Sequence, residues 1–417
     1  MKQRRFWLWS TLVALLVAFT VAGFEALSAF VVPPWPAREL RPIEVSNAAI
    51  ASTLSGAQAM PQYNSWSLRD GEHPIAKPAG MFRAAIVGDS FVEGAFADRS
   101  VGMRIEELWQ SQGRRDLELV SLGVSATGPR QYYYRIRDIG LLLQPDALVL
   151  VFYSGNDFVS DPLSPWQVPP LVAERPRPSW LGAVAPRLTW LLVNRLGLSE
   201  FGSGKVVGVE DVAAILKKPR AERLDAMVSF LKTYYYPQKD ERVMREILAR
   251  GGDRFWDAFE PRERDQEYLQ GWWMAGMVDW ETATWSVPLT PSEIEQSLNR
   301  SDIAATMSWL LGAQDLARQR GIRFAIALAP VGLVDPRYAE FWSPWPRYLS
   351  FPRQREAMHR VLRAELEARG VTVVDLEDDL KGVPGTYRVS DGHWTELGTE
   401  IAARRLEAEL VKMRGAR

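Results

Sequence analysis

Three residues of this chain carry the side chains that activated-serine chemistry requires. Ser90 lies in the segment Gly88-Asp89-Ser90-Phe91, and Asp391 and His393 lie about three hundred residues later. A serine hydroxyl attacks a carbonyl carbon only when a histidine accepts its proton and a third group fixes the histidine tautomer. Such groups need only be adjacent in space. The residue types therefore predict Ser90 as nucleophile, His393 as base and Asp391 as orienting carboxylate of an enzyme that acts on esters.

The elements that must position these residues can be predicted from apolar runs. Short apolar runs flanked by Gly, Pro or Asp are typical of buried strands. Such runs occur at Arg83–Val87, Leu117–Leu122, Ala147–Tyr153, Phe324–Ala329 and Val371–Leu376. Apolar residues recur at helical spacing from Ile303 to Leu311 and from Met358 to Leu366, before a stop at Gly370. Alternating strands and helices predict a parallel sheet covered on both faces.

Ligands of such sheets bind beyond the carboxyl ends of the strands. Ser90, Gly123 and Asn156 each come directly after, or at the end of, a predicted strand. The sequence therefore predicts that these three residues meet at one edge of the sheet.

Four sequence blocks resemble those of the SGNH, or GDSL, hydrolase superfamily, over residues of about 60–160 and 300–415. Gly88-Asp89-Ser90-Phe91 resembles the first block, and Asp391-x-His393 resembles the last. Leu122-Gly123-Val124-Ser125 and Ser154-Gly155-Asn156-Asp157 are similar to the second and third blocks. The segment Asn64-Ser65-Trp66-Ser67-Leu68-Arg69 resembles one that precedes the first block in membrane-anchored bacterial members.

This resemblance implies a three-layer α/β/α, flavodoxin-like fold with a five-stranded parallel sheet. It also implies that the Ser90 amide, the Gly123 amide and the Asn156 side chain form the oxyanion hole, with Ser90, His393 and Asp391 as the triad. The expected reaction is removal of an acyl group, with acetyl as the expected one, from a cell-envelope glycan or a similar ester.

Two alternatives stay open. Asp391-x-His393 followed by Trp394 resembles the envelope polysaccharide O-acetyltransferases of the same superfamily. Hydrolysis and transfer share an acyl-enzyme, so the triad residues cannot distinguish them. Transfer would imply a partner membrane protein that delivers the acyl group. The other alternative is a non-catalytic glycan-binding or assembly protein.

Composition excludes several classes of function. Fifty Lys and Arg against fifty-one Asp and Glu give a net charge of -1, so no global field attracts nucleic acid. The absence of cysteine excludes disulfides and thiolate metal sites. Asp89 and Asp157 are interpreted as turn and cap residues rather than metal ligands. We therefore expect neither a metal nor a cofactor.

The sequence assigns no catalytic role to the other two histidines, His73 and His359. His73 lies in a polar turn, and the helical pattern directs His359 away from the apolar stripe beside Met358.

The N-terminus predicts a membrane segment. Lys2, Arg4 and Arg5 precede nineteen uncharged residues, Phe6 to Phe24. About 20 apolar residues span a bilayer as a helix, and the basic flank is expected on the cytoplasmic side. This pattern favours a retained single-pass anchor in a bacterial inner membrane, with the catalytic part on the periplasmic side. A cleaved signal peptide is the alternative.

At 417 residues, the chain is long enough for one elaborated domain. The predicted parts are an N-terminal flank and anchor, a proline-rich stalk, a first catalytic part, a helical aromatic-rich insertion and a second catalytic part, at 1–30, 31–60, 61–160, 161–300 and 301–417. Aromatic side chains in the insertion could stack on sugars, but we expect them to form its own core.

Overall fold

The computed structural model describes most of the chain. The described residues are 2–28, 30, 64, 68–94, 97–125, 127–163, 185, 187–188, 214–258, 271–390 and 392–415, without the side chains of 2–6 and 271–273. Asp391 and the predicted stalk at 31–60 lie outside them.

Five parallel strands form one sheet in the order β2-β1-β3-β4-β5. This is the strand order of flavodoxin-like sheets. The strands are β1 (Phe82–Gly88), β2 (Leu117–Gly123), β3 (Ala147–Tyr153), β4 (Arg323–Ala329) and β5 (Val373–Asp375). The predicted fold class is therefore confirmed, and each predicted strand is present with its ends within two residues of the prediction.

Most strand residues are apolar because both faces of the sheet are covered; charged residues occur near the strand ends, as at Arg83 in β1 and Glu118 in β2. In β1, Ala85 and Val87 belong to one hydrophobic core, whereas Ala84 and Ile86 belong to the other. Successive strand residues point to opposite faces, so a strand that is buried on both faces does not alternate between apolar and polar residues. The result is a three-layer α/β/α arrangement.

Some helices cover the two faces of the sheet, and others lie outside these two layers. In chain order they are α1 (Lys2–Ser28), α2 (Ser90–Glu93), α3 (Val101–Ser111), α4 (Pro129–Asp138), α5 (Arg220–Tyr234), α6 (Glu241–Ala249), α7 (Gly252–Asp257), α8 (Gly271–Glu281), α9 (Pro291–Gln296), α10 (Arg300–Gln319), α11 (Pro336–Trp342), α12 (Pro346–Ala368), α13 (Glu377–Leu380) and α14 (Glu396–Gly415). Helices α4, α10 and α12 pack on one face of the sheet, and α3 and α14 pack on the other.

Helix α1 contains a candidate membrane span. Its segment Trp7–Ser28 has a mean hydropathy of 1.9, and its most apolar stretch is not buried against the rest of the protein. The described residues therefore contain a helix that is long and apolar enough to cross a membrane.

The described part of the predicted insertion is mainly helical, and its helices share a hydrophobic core with α11 and the start of α12. Trp256 is buried there with Trp342 and Trp345, which come from α11 and the residue before α12. The expected burial of the insertion's aromatic rings is confirmed for Trp256. Trp285 and Tyr234 are instead 53% and 49% exposed. The boundaries of the insertion stay predictions.

Candidate active site

Ser90 is the first residue of α2, and only Asp89 separates it from the end of β1. The Asp89 carboxylate caps the short helix by accepting a hydrogen bond from the Phe91 amide at 2.9 Å. A side chain at Gly88 would place its Cβ 2.4 Å from Val92 Cγ2 and 3.1 Å from the Val151 carbonyl oxygen. Glycine is therefore required for β1 to turn directly into α2. The turn brings Ser90 to the carboxyl edge of the sheet, and the expected cap role of Asp89 is confirmed.

Ser90 and His393, which the sequence predicts as nucleophile and base, lie in contact. Ser90 Oγ lies 2.8 Å from His393 Nε2. In a neutral imidazole that accepts at Nε2, the serine hydroxyl donates this hydrogen bond, which is the arrangement needed for proton removal during attack. Ser90 is 7% exposed. The predicted triad acid, Asp391, lies outside the described residues, so its bond to His393 stays a prediction.

The His393 ring is supported by aromatic packing that the sequence analysis did not identify. The Phe91 ring stacks on His393 with centroids 5.1 Å apart and on Tyr153 with centroids 3.9 Å apart. The Trp394 ring packs against Phe91 in a T-shaped arrangement, with ring centroids 4.8 Å apart. Phe91, the residue after Ser90, therefore packs against both the end of β3 and the histidine that contacts Ser90.

The predicted oxyanion residues lie at the same edge of the sheet. Gly123 pairs in register with Gly88, which directly precedes the nucleophile turn. A Cβ at Gly123 would lie 2.4 Å from the Glu93 amide nitrogen, so glycine allows β2 to approach α2 closely. Asn156 is exposed in the turn that follows β3. The roles of the Ser90 amide, the Gly123 amide and the Asn156 side chain as oxyanion donors stay predictions.

A buried arginine holds the ends of β1 and β2 together. Arg135, on α4, is 1% exposed. Its Nη1 donates to the carbonyl oxygens of Gly88 and Leu122 at 3.2 and 2.9 Å, and its Nη2 donates to Thr127 Oγ1 at 3.3 Å. These carbonyls immediately precede the nucleophile turn and Gly123. Arg135 therefore fixes the spacing of two site-forming loops.

A second buried arginine holds the loop that follows α2. Arg69 is 7% exposed. Its guanidinium donates to the backbone carbonyls of Glu93, Gly94, Ala97 and Asp98. Arg69 belongs to the segment Asn64–Arg69, which resembles one found in membrane-anchored members. That resemblance is the only feature of the sequence that draws attention to Arg69. Arg135 had no such signal, because a single arginine in a helical pattern is ordinary.

Two buried carboxyl groups, those of Asp89 and Asp157, lie next to Ser90 and Asn156 in the sequence. Burial is the main reason that the pKa of Asp89 is raised to about 6. Burial, together with the neighbouring Asp89, raises the pKa of Asp157 well above its usual range. Asp157 Oδ2 accepts hydrogen bonds from the Tyr132 hydroxyl at 2.9 Å and from the Tyr153 amide at 2.8 Å. Asp157 thus closes the turn that contains Asn156, as expected for a turn residue.

No family model and no curated protein matches this chain. Among solved structures, a GDSL-like lipase from Bacteroides thetaiotaomicron VPI-5482 is 12% identical, with a TM-score of 0.33, and the match covers 88% of this chain and 99% of the lipase. A proposed acylhydrolase from Bacteroides fragilis NCTC 9343 is 10% identical, with a TM-score of 0.32 and coverage of 79% and 86%. Similarities this low say nothing about the reaction of this protein.

The sequence interpretation of His359 was wrong. His359 is 1% exposed, and its Nδ1 lies 2.6 Å from Ser154 Oγ. The helical pattern directed His359 away from the apolar stripe of α12 but could not show that other elements bury this side and supply polar partners. His73 also has partners, since its ring nitrogens lie 3.1 Å from Asp70 Oδ2 and 2.9 Å from Glu118 Oε1.

Proposed function

We propose that this protein is a serine esterase of the SGNH type that removes acyl groups, with acetyl as the expected one, from a cell-envelope glycan or a similar ester. The observation that carries the proposal is the 2.8 Å contact between Ser90 Oγ and His393 Nε2 at the carboxyl edge of a flavodoxin-like sheet. The two residues come from opposite ends of the catalytic part. Their meeting in this geometry supports acyl transfer through the Ser90 hydroxyl.

The reaction proceeds in two steps. Ser90 Oγ attacks the acyl carbon while its proton moves to His393 Nε2. The imidazolium then gives this proton to the leaving alcohol oxygen as the ester bond breaks, which leaves an acyl group on Ser90. In the second step His393 accepts a proton from water as the water oxygen attacks the acyl carbon, and it returns that proton to Ser90 Oγ as the serine ester bond breaks and the carboxylic acid leaves. Asp391 would stabilise the imidazolium in both steps.

The negative oxygen formed in each step needs hydrogen-bond donors. We assign this role to the amides of Ser90 and Gly123 and to the side chain of Asn156. The close packing of β2 on α2 at Gly123, and the position of Asn156 in an exposed turn at the same edge, support the assignment. Loss of one such donor typically lowers kcat by about 10²- to 10³-fold.

The substrate and location follow from the anchor and the sequence resemblance. An apolar N-terminal helix behind a basic flank is the pattern of a single-pass protein whose catalytic part faces the periplasm. An enzyme held at that surface would meet envelope glycans and their acyl esters. In this proposal, the bacterial inner membrane is the partner surface, and nucleic acid is not a ligand.

Transfer to a polysaccharide is the second candidate. Its support is the Asp391-x-His393-Trp394 block, which resembles that of the O-acetyltransferases. A sugar hydroxyl would then replace water in the second step, and a membrane protein would supply the acyl group.

The test measures acetate released from p-nitrophenyl acetate by the full-length protein in detergent, with and without envelope glycan. Ser90→Ala should abolish release. Ser111→Ala, a serine at the exposed end of α3, is the matched control and should leave release unchanged. Release that is indifferent to glycan supports hydrolysis. Acetyl recovered on the glycan supports transfer, and equal release by the wild type and Ser90→Ala contradicts both.

A further inference from the structure

The protein contains a second serine–histidine–aspartate array, separate from Ser90. Ser154 Oγ lies 2.6 Å from His359 Nδ1. His359 Nε2 lies 3.2 and 3.3 Å from the two carboxylate oxygens of Asp375. Arg363 Nη1 donates to Asp375 Oδ2 at 2.6 Å. A chain of polar contacts thus runs from α12 and the end of β5 to the end of β3.

This array is not built for nucleophilic attack. Ser154 is 0% exposed and His359 is 1% exposed, so no substrate reaches the serine oxygen. A carboxylate can only accept, so the Nε2–H of His359 donates to Asp375, and the other ring nitrogen, Nδ1, is the one that meets Ser154 Oγ.

The array is also an unsuitable cation site, although His359, Asp375 and Glu377 offer ligand atoms within 4.8 Å of one another. Arg363 already binds the Asp375 carboxylate, and Lys381 donates to Glu377 at 2.7 Å. Burial alone would raise the pKa of Asp375, but the bonds from His359 and the Glu377 amide and the charge of Arg363 hold it below the usual range. The negative charge of the cluster is therefore already balanced by protein groups.

The array instead ends on the turn that contains Asn156. Ser154 begins this turn, and its amide donates to the Ala329 carbonyl at 2.9 Å. Asp157 follows Asn156, and its amide and carboxylate both bind the backbone of Tyr153. Asn156 is the exposed residue between these two buried anchors. A turn held at both ends presents its middle residue in a fixed direction.

We propose that His359 is a positioning residue that, through Ser154, fixes the turn from which Asn156 donates to the oxyanion. This inference rests on the proposed function for the role of Asn156. His359 contacts no reacting atom. Its effect is on the transition state, because an oxyanion donor must be pre-aligned to stabilise charge as it develops.

The kinetic test is a double-mutant cycle on the full-length protein. Ser154→Ala removes the hydroxyl and leaves the His359–Asp375–Arg363 part in place. It should lower kcat by about 10- to 100-fold, as a misplaced catalytic group does, with KM nearly unchanged. In an Asn156→Ala background, Ser154→Ala should change kcat by less than about twofold, because the donor that it positions is gone.

Two further variants separate positioning from general loss of stability. Val361→Ala lies on the same helix, two residues after His359, and removes packing against a hydrophobic core. It should lower Tm without changing kcat and without coupling to Asn156→Ala. His359→Gln keeps a donor and an acceptor, so it should retain more activity than His359→Leu. If the His359 variants do not fold, Ser154→Ala alone still completes the cycle.

Amide hydrogen exchange gives a readout that does not depend on activity. Ser154→Ala should speed exchange of residues 153–158, whereas Val361→Ala should not. If Ser90→Ala retains wild-type activity, the proposed function fails, but the exchange measurement still decides whether the array holds the turn. Unchanged exchange in Ser154→Ala, or effects that simply add in the cycle, would overturn the inference.

Discussion

Phe91 and His393 stack with ring centroids 5.1 Å apart and an interplanar angle of 20°. Phe91 is the residue after the nucleophile and is 2% exposed. The ring that follows Ser90 in the sequence therefore packs against the imidazole that contacts Ser90 Oγ. This contact links the first and the last sequence blocks directly.

Replacing Phe91 should affect catalysis beyond its effect on stability. Phe91→Leu keeps an apolar side chain but removes the stacking face, so His393 should leave its alignment more often. We expect kcat to fall by about tenfold or more, since small misplacements of catalytic groups are costly, while KM changes little. Steady-state kinetics on p-nitrophenyl acetate measure this. An equal loss in Leu310→Val, a buried control on α10, would show that the effect is only one of stability.

Gly155 is expected to tolerate no side chain. A Cβ at this position would lie 2.4 Å from two ring carbons of Tyr153 and 2.5 Å from its hydroxyl oxygen. Tyr153 stacks on Phe91 and donates to the Gly392 carbonyl at 3.4 Å. Gly155→Ala should therefore displace Tyr153 and lower both Tm and kcat. Gly128→Ala is the matched control, because its nearest atom would be 3.9 Å away. Similar losses in both variants would contradict the steric argument.

Asp157 should make the folded protein less stable as pH rises. Its pKa is raised in the folded state, so the folded protein binds more protons than the unfolded chain above the ordinary value of 3.8. The free energy of unfolding therefore falls with rising pH over that interval. Asp89 adds the same trend between 3.8 and about 6.

Asp157→Asn should weaken this pH dependence, because the amide oxygen can still accept both hydrogen bonds and cannot ionise. Urea unfolding of the wild type and variant at several pH values from about 4 to 8 measures it. We expect the variant to be at least as stable as the wild type near neutral pH. A steeper fall in stability with pH for the variant would show that Asp157 is ionised in the folded state.

His73 should show a different dependence. Burial lowers its pKa, but hydrogen bonds and charge from Asp70, with a hydrogen bond from Glu118, outweigh this and raise it to about 9. The protonated form is therefore stabilised by folding. This contribution is fully present below the ordinary pKa of 6.5 and is lost as pH rises through about 9.

His73→Gln should remove that part of the pH dependence, since glutamine does not titrate. The difference in free energy of unfolding between wild type and variant should shrink by up to about 3 kcal/mol between pH values near 6 and 10. Urea unfolding at the two pH values measures this. Parallel behaviour of the two proteins would mean that His73 stays neutral in the fold.

The sequence alone determined the sheet and the place of the nucleophile. Strands such as Ala147–Tyr153 are short, continuous apolar runs, and a strand buried on both faces has no other pattern available to it. The Gly88-Asp89-Ser90 turn could be read locally, because the glycine and the capping aspartate act within a few residues. The pairing of Ser90 with His393 could be proposed because the chemistry needs both groups.

Only the tertiary structure showed what holds these groups in place. Arg135, Phe91 and His359 act on partners distant in sequence or on another element, and nothing in their immediate sequence distinguishes them from ordinary helix or core residues. His359 shows the limit most clearly. Helical periodicity gives the direction of a side chain relative to its own helix, whereas the partner that satisfies a buried polar group is decided by which elements the fold brings against that helix.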